Sequence, residues 1–265
     1  MKAEERLDND ILLAHVMGVS RGYLYAHPEH QLNTAQNKQL ADLMQRYIQG
    51  EPVAYLTGHR EFWSLDLIVT PDTLIPRPET ELLVESVLQL RFTAENIAVA
   101  DLGTGSGAIA LALAHEKPHW QIDATDISHA ALVVAKKNAT RLQIDTVSFH
   151  EGAWCAALPR KSFDVIVSNP PYIAEADVHI QHSVLAYEPH SALISGEDGL
   201  CDLKQIIYQA PHYLKPGGYL ILEHGFQQAE KLRKIFLDVG YTNISTRRDF
   251  SGLERVTQGQ WQSNF

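Results

Sequence analysis

A chain of 265 residues with 45% hydrophobic content can bury a large core and carry a smaller domain beside it. Its net charge of -10 argues against broad electrostatic capture of a phosphate backbone. Two cysteines, Cys155 and Cys201, have neither metal-ligand spacing nor the density of a secreted scaffold, and no signal segment or long apolar span is visible, so a soluble cytoplasmic protein is expected.

The first fifty residues read as helices. Asp8 can cap a run through Ile11, Leu12, Leu13, Val16 and Met17 that Gly18 ends, and Thr34 can start a second through Leu40, Leu43, Met44, Tyr47 and Ile48. Their apolar faces fit either a packing cap on a larger domain or a docking role. Phe62, Leu65, Leu67 and Val69, with Pro71 and Asp72 as turn residues, suggest a short hairpin. Pro78 in a first helical turn, beside Glu79 and Glu81 at the positive end of the dipole, starts a helix and leaves Arg77 unexplained.

Strands and helices then alternate. Segments 97–102, 120–125, 147–150, 163–167 and 219–223 read as strands, with helices from Ile109, Ser128, Leu203 and Gln227. Lys215 to Gly218 reads as a tight turn into the fifth strand, and Tyr241 to Thr246 with Arg255 to Gln260 as a closing hairpin around Ser251-Gly252. The pattern predicts an α/β fold with a mainly parallel sheet and helices on both faces. Ligands of such sheets bind at the carboxyl ends of the strands, where strand order reverses.

Four features fall there. Asp101-Leu102-Gly103-Thr104-Gly105-Ser106-Gly107 ends the first strand, with glycines that admit a ligand close to the backbone or simply make a tight strand-to-helix turn. Asp126 ends the second, suited to ribose hydroxyls or to a helix cap. Trp154 follows the third and could pack on a purine or belong to the core. After the fourth comes Ser168-Asn169-Pro170-Pro171-Tyr172, where two prolines stop the strand and stiffen a loop that holds one carboxamide, one phenol and outward carbonyls, with no acid or base.

The glycines alternate too tightly for a nicotinamide-dinucleotide fingerprint, and no Walker lysine follows them. Asp101 to Gly107 resembles motif I of the class I S-adenosylmethionine methyltransferases, and Asn169 to Tyr172 resembles the amino-methyltransferase motif of that superfamily. The chemistry agrees with the residues. An amide or heteroaryl NH2 is a poor nucleophile, and two acceptors, Asn169 Oδ1 and the Pro170 carbonyl, can hold its two N–H groups so that the lone pair points at a sulfonium methyl. Tyr172 can pack against the planar group that carries the nitrogen. Adenine, cytosine, guanine and glutamine all present such a group. A nucleic-acid amino-methyltransferase of the N6-adenine type is therefore the alternative, disfavoured by the acidic balance.

Further landmarks narrow the choice. Pro52 to Gly58, Phe62, Leu74-Ile75-Pro76-Arg77-Pro78-Glu79-Thr80-Glu81, Leu222 to Gly225 and Asp249 to Val256, taken with the two loops, resemble the PrmC/HemK family over nearly the whole chain. That resemblance implies a Rossmann-like methyltransferase with a seven-stranded sheet, divided into a helical domain at 1–52, a β-hairpin linker at 53–76 and a catalytic domain at 77–265. It implies methyl transfer from S-adenosyl-L-methionine, with S-adenosyl-L-homocysteine as product, to the glutamine N5 of the Gly-Gly-Gln loop in class I peptide chain release factors. Asp101, Gly103, Thr104, Gly105, Ser106, Gly107, Asp126, Trp154 and Asn169 would contact the cofactor, and Asn169, Pro170, Pro171 and Tyr172 the glutamine. Asn169, Pro170 and Tyr172 would carry the chemistry. A monomer without a metal, a membrane anchor or a direct nucleic-acid substrate is expected.

Two departures from the family pattern stand out. Ala153 occupies the position of an acidic residue that would face adenine, and a first helix of the family pattern is expected to be missing. The thirteen histidines show no metalloprotease-type spacing with a carboxylate and are expected to be structural or on the surface.

Overall fold

An apolar stripe on a short helix is stable only against a partner, and the first helices supply one another with it. In the computed structural model, which describes residues 3–159, 162–177 and 184–262, these are α1 (Ala3–Met17), α2 (Arg21–Ala26), α3 (Thr34–Ile48) and α4 (Val53–Thr57). Leu12, Val16, Leu43 and Leu56 close a small core between them. Asn33 caps α3, accepting from the Gln36 amide at 2.9 Å while the Gln36 side chain returns to the Asn33 amide at 3.0 Å. Asp8 does not cap α1, which begins at Ala3. It sits inside that helix and accepts from the Tyr47 hydroxyl at 2.8 Å, so a tertiary contact has taken the residue that reads locally as a cap.

Contacts divide the chain into two units, one running through His59 and including Tyr187, the other starting at Arg60 and resuming at Glu188. A hairpin of β1 (His59–Phe62) and β2 (Leu65–Ile68) spans this boundary in sequence. Its turn is Trp63-Ser64, with φ of 52° and 61°, and not Pro71-Asp72 as the sequence suggested. Two left-handed residues match the twist of a two-residue hairpin, but neither is glycine, so no local signal marked them. Tertiary bonds hold the turn instead. The Trp63 amide donates to Glu81 Oε1 and its indole to Glu116 Oε1, both at 2.8 Å.

The turn Pro78–Thr80 leads into α5 (Glu81–Leu88), as the prolines and acids required. Beyond it come β3 (Ala98–Leu102), α6 (Ala108–Glu116), β4 (Gln121–Asp126), α7 (His129–Arg141), β5 (Val147–Glu151) and β6 (Phe163–Ser168). The chain continues through α8 (Cys201–Gln209), β7 (Leu214–Glu223), α9 (Ala229–Val239), β8 (Tyr241–Arg248) and β9 (Glu254–Trp261). The sheet order is β5-β4-β3-β6-β7-β9-β8, parallel from β5 to β7 and antiparallel through the closing hairpin. Successive residues of one strand serve opposite faces: Val99 joins a core with Leu83 and Leu111, while Ala98 and Ala100 join another with Leu203 and Phe236. Both faces are therefore covered by helices, which explains the continuous apolar runs of the parallel strands.

Lys215 to Gly218 lie within β7 and do not form a separate turn. A side chain at Gly218 would meet the carbonyls of Lys215, Phe163 and Asp164 at 3.0 to 3.1 Å, and the register with β6 shifts at this point. Glycine here permits a bulge. No helix among the described residues is long and apolar enough to cross a membrane.

Candidate active site

The order β4-β3-β6 makes the gap between β3 and β6 the switch point of the sheet. Leu102 lies opposite Ser168, and the Ser168 hydroxyl donates to the Leu102 carbonyl at 2.6 Å. The residues that follow, Gly103 and Asn169, therefore leave the sheet side by side. A cavity of about 360 Å³ opens there, lined among others by Gly103, Gly105, Asp126, Trp154, Asn169 and Pro171. Its size is in the range of small-molecule sites.

Each wall has a local cause. Gly103 and Gly105 have φ of 71° and 56°, which glycine adopts without strain. A Cβ on Gly103 would stand 3.0 Å from the Trp154 ring, and one on Gly105 would meet nothing within 4 Å, so Gly105 borders open space. The amides of Gly103 and Thr104 donate to the Thr125 carbonyl at 2.8 and 2.9 Å, fastening the loop to β4. Asp126 accepts from the Gly105 amide at 2.9 Å and the Ser128 amide at 2.8 Å, one on each oxygen. Each oxygen keeps a lone pair for a ligand. The cap of α7 comes from Ser128, whose hydroxyl accepts from Ala131. Ala153 lines the same cavity with a methyl group only.

The other expected residues lie behind this surface. Asp101 is buried, with Oδ2 accepting from Thr104 Oγ1 at 2.7 Å and the Ala110 amide at 3.2 Å, and Oδ1 without a hydrogen-bond partner among the described residues. Ser106 is buried; its carbonyl, with the backbone of Ile68, is held by the Asn138 side chain. Gly107 begins α6 in a left-handed conformation where a Cβ would meet Leu111 at 2.9 Å. Pro170 and Tyr172 do not line the cavity. The Tyr172 hydroxyl donates to Glu223 Oε1 at 3.2 Å, and burial raises its pKa above the ordinary phenol range.

Several residues escaped sequence reasoning. Glu188 accepts from the Ile75 amide at 2.9 Å and pairs with Arg77, giving that arginine its explanation. The segment it begins supplies another wall through Pro189, Ser191, Ala192 and Ile194, opposite Asp72, Thr73 and Leu74. Thr80 accepts from Asn169 Nδ2 at 3.2 Å. Glu223, at the end of β7, is buried under Tyr172. In the sequence it belongs to the Leu222 to Gly225 landmark and is a charged residue closing an apolar strand, without an assigned role.

Burial pushes both the Asp101 and Glu223 carboxyls up to about 7. Unfolded, such groups titrate near 4. Between about pH 4 and 7 the folded protein thus binds more protons than the unfolded chain, and these groups make stability fall as pH rises through that window. Glu223→Gln is expected to remove its share: the stability gap between variant and wild type should move in favour of the variant by about 3 kcal/mol from pH 5 to pH 8. Chemical denaturation at both pH values measures this. A gap independent of pH contradicts it.

A glycine-lined switch-point cavity beside an Asn-Pro-Pro-Tyr loop is a methyltransferase arrangement, and residues 78–194 match the family model of the methyltransferase small domain. Residues 2–58 match the model of the PrmC N-terminal domain. The chain is 52% identical over 251 residues to the release factor glutamine methyltransferase of Coxiella burnetii, covering 95% of this chain and 90% of that protein. It is 49% identical to that of Shewanella oneidensis, covering 96% and 89%, and 46% identical to that of Escherichia coli, covering 97% and 92%. A methyltransferase from Pyrococcus furiosus shares the fold, with a TM-score of 0.56, 18% identity and coverage of 84% of this chain and 99% of that one. The chain belongs to the release factor glutamine methyltransferase family, as the sequence resemblance implied.

Proposed function

We propose that the protein methylates the side-chain amide nitrogen, N5, of the glutamine in the Gly-Gly-Gln motif of class I peptide chain release factors, using S-adenosyl-L-methionine and releasing S-adenosyl-L-homocysteine. The observation that carries this reading is that Asn169 and Pro171 share one cavity with Gly103, Gly105, Asp126 and Trp154. When bound, the cofactor supplies an electrophilic methyl on a sulfonium.

The free lone pairs of Asp126 would accept the ribose hydroxyls, the Trp154 ring would offer a face to the purine, and the Gly103 to Gly107 loop would give backbone to the amino-acid portion. Asp101, Thr104 and Ser106 fix the shape of that loop from behind. Asn169 Oδ1 and the Pro170 carbonyl would each accept one N–H of the incoming amide, Pro171 borders the cavity, and Tyr172, outside the cavity lining, anchors the loop through its hydroxyl bond to Glu223. Aligning a delocalised nitrogen with its electrophile is the main work, and alignment of this kind can lower a barrier by roughly 7 to 11 kcal/mol at the extreme. The nitrogen turns acidic as it gains the methyl, so its proton leaves without a strong base.

The chain divides this task among the helical segment 1–52, the hairpin 53–76 and the catalytic part 77–265. It works as a monomer in the cytoplasm, where the free thiols Cys155 and Cys201 stay reduced. Radiolabelled S-adenosylmethionine, offered with a purified release factor, the same factor with its loop glutamine changed to alanine, and nucleic acid, tests the reading. Label is expected on the wild-type factor alone. Label on the alanine factor, or on nucleic acid only, rejects it.

A further inference from the structure

A strand that ends in two prolines loses the ladder of hydrogen bonds that would otherwise aim its next carbonyls. Pro170 and Pro171 have no N–H, and with φ fixed each has only ψ left to set the direction of its carbonyl. That direction depends on how the two ends of the loop are held. The near end is β6, fastened by the Ser168 hydroxyl to the Leu102 carbonyl. The far end is the peptide unit between Tyr172 and Ile173.

Both sides of that peptide unit are engaged. The Ile173 amide donates to the Leu193 carbonyl at 2.9 Å. The Tyr172 carbonyl accepts from Gln228 Nε2, also at 2.9 Å. Gln228 immediately precedes α9, and the rest of its carboxamide is committed as well. Nε2 donates again to the Gly199 carbonyl at 3.1 Å, and Oε1 accepts from the Gly225 amide at 2.9 Å. Two carbonyls at the nitrogen and one N–H at the oxygen allow a single orientation of the amide. The neighbouring backbone makes room for it. A Cβ on Gly199 would stand 2.9 Å from Nε2, and one on Gly225 would stand 3.1 Å from Oε1.

We infer that Gln228 is a positioning residue: it pins the Tyr172 carbonyl and, through the two prolines, sets where the Pro170 carbonyl points during methyl transfer. The inference rests on the reading given under Proposed function. Gln228 is not among the residues lining the cavity and acts from behind the loop. Its side chain joins the turn after β7 and the segment before α8 to the loop after β6. Leu193, on the other side of the pinned peptide, belongs to the wall that runs from Pro189 to Ile194, so one peptide unit holds the loop both to that wall and to the start of α9.

The test compares Gln228→Met and Gln228→Glu with wild type in the release-factor assay, with cofactor binding and amide hydrogen exchange measured beside it. Methionine keeps the length and loses every polar contact. Glutamate keeps the acceptor for Gly225 and sets a carboxylate oxygen against two carbonyls. Each is expected to lower kcat at least about tenfold, since a misplacement of about 1 Å at a reacting centre can cost about 10²-fold. KM for the release factor and Kd for S-adenosylmethionine should stay within about threefold. Exchange of the Ile173 amide should quicken at least about tenfold relative to the amides of β6, a local loosening that a general loss of stability does not produce. If Gln228→Met does not fold, Gln228→Glu, which retains the Gly225 bond, carries the comparison. A kcat above about one-tenth of wild type in either folded variant overturns the inference. So does a loss carried by KM, or exchange that quickens equally at Ile173 and in β6, since packing of α9 would then explain the effect. If the wild-type chain labels no release factor, the underlying reading fails and this inference with it; a labelling wild type beside unaffected variants rejects the inference alone.

Discussion

Asn169→Ala is expected to lower kcat by about 10³-fold or more, equivalent to roughly 4 kcal/mol of barrier, while Kd for S-adenosylmethionine changes by less than about tenfold. The asymmetry follows from position. Asn169 is one of many groups around the cavity, so its removal leaves the Gly103 to Gly107 loop, Asp126 and Trp154 in place for the cofactor. It supplies the loop's only side-chain carboxamide, and alanine offers no acceptor to hold one N–H of the substrate. A freely rotating amide keeps its lone pair in conjugation and seldom points at the methyl. Single-turnover kinetics with excess enzyme, beside calorimetric cofactor titration, separate the two quantities. Near-normal turnover in this variant refutes the role given to the carboxamide.

Gly199→Ala should cost about 2 to 5 kcal/mol of stability and slow methyl transfer at least about tenfold. Gly199 has φ of 70°, and a Cβ there would stand 2.4 Å from the Tyr172 carbonyl oxygen and 2.9 Å from Gln228 Nε2. The left-handed conformation costs an alanine about 1 to 2 kcal/mol, and forcing apart packed atoms about 1 to 3 more. The atom struck is backbone and cannot rotate away. Gln228 Nε2 donates to the Tyr172 carbonyl at 2.9 Å and to the Gly199 carbonyl at 3.1 Å, so this bridge must open as well. Displacement of Tyr172 moves the loop proposed to hold the substrate. Gly199→Asn eases the dihedral but keeps the Cβ, so it should recover at most the left-handed part of the cost, about 1 to 2 kcal/mol. Urea denaturation and kcat check both effects; wild-type stability in the alanine variant would show that the contact yields freely.

Local chemistry explains which parts of this arrangement the sequence exposed. The central strands β3 and β6 are buried on both faces, so their runs stood out, and the glycine and proline loops carry their constraints in consecutive residues. Asp126 and Asn169 were readable because one closes a strand and the other directly follows one, and Trp154 because it lies three residues past the end of β5. What stayed hidden depends on contacts across the chain. The Trp63-Ser64 turn is held by Glu81 and Glu116. Asp8, a plausible cap by local rules, answers instead to Tyr47. The wall from Pro189 to Ile194 has no periodicity, and its anchor, Glu188, meets Arg77 and Ile75 more than a hundred residues away. Thr80 read as one polar residue in a helix start, because its partner, Asn169, lies on the loop after β6. Tyr172 read as a cavity residue, since a motif gives the order of residues and not which of them stands in front.

The hydrogen bond from Ser168 to the Leu102 carbonyl has a geometric consequence for how this family of sites can change. The two loops proposed to receive the two reactants are anchored on adjacent strands, whose separation of about 4.8 Å is dictated by the backbone ladder. The sheet therefore works as a gauge. It fixes how far apart methyl donor and methyl acceptor are carried, independently of the side chains that choose them. New substrates can be admitted by rebuilding the outer walls, such as the Asp72 to Leu74 or Pro189 to Ile194 segments, with no need to reset the distance over which the methyl travels.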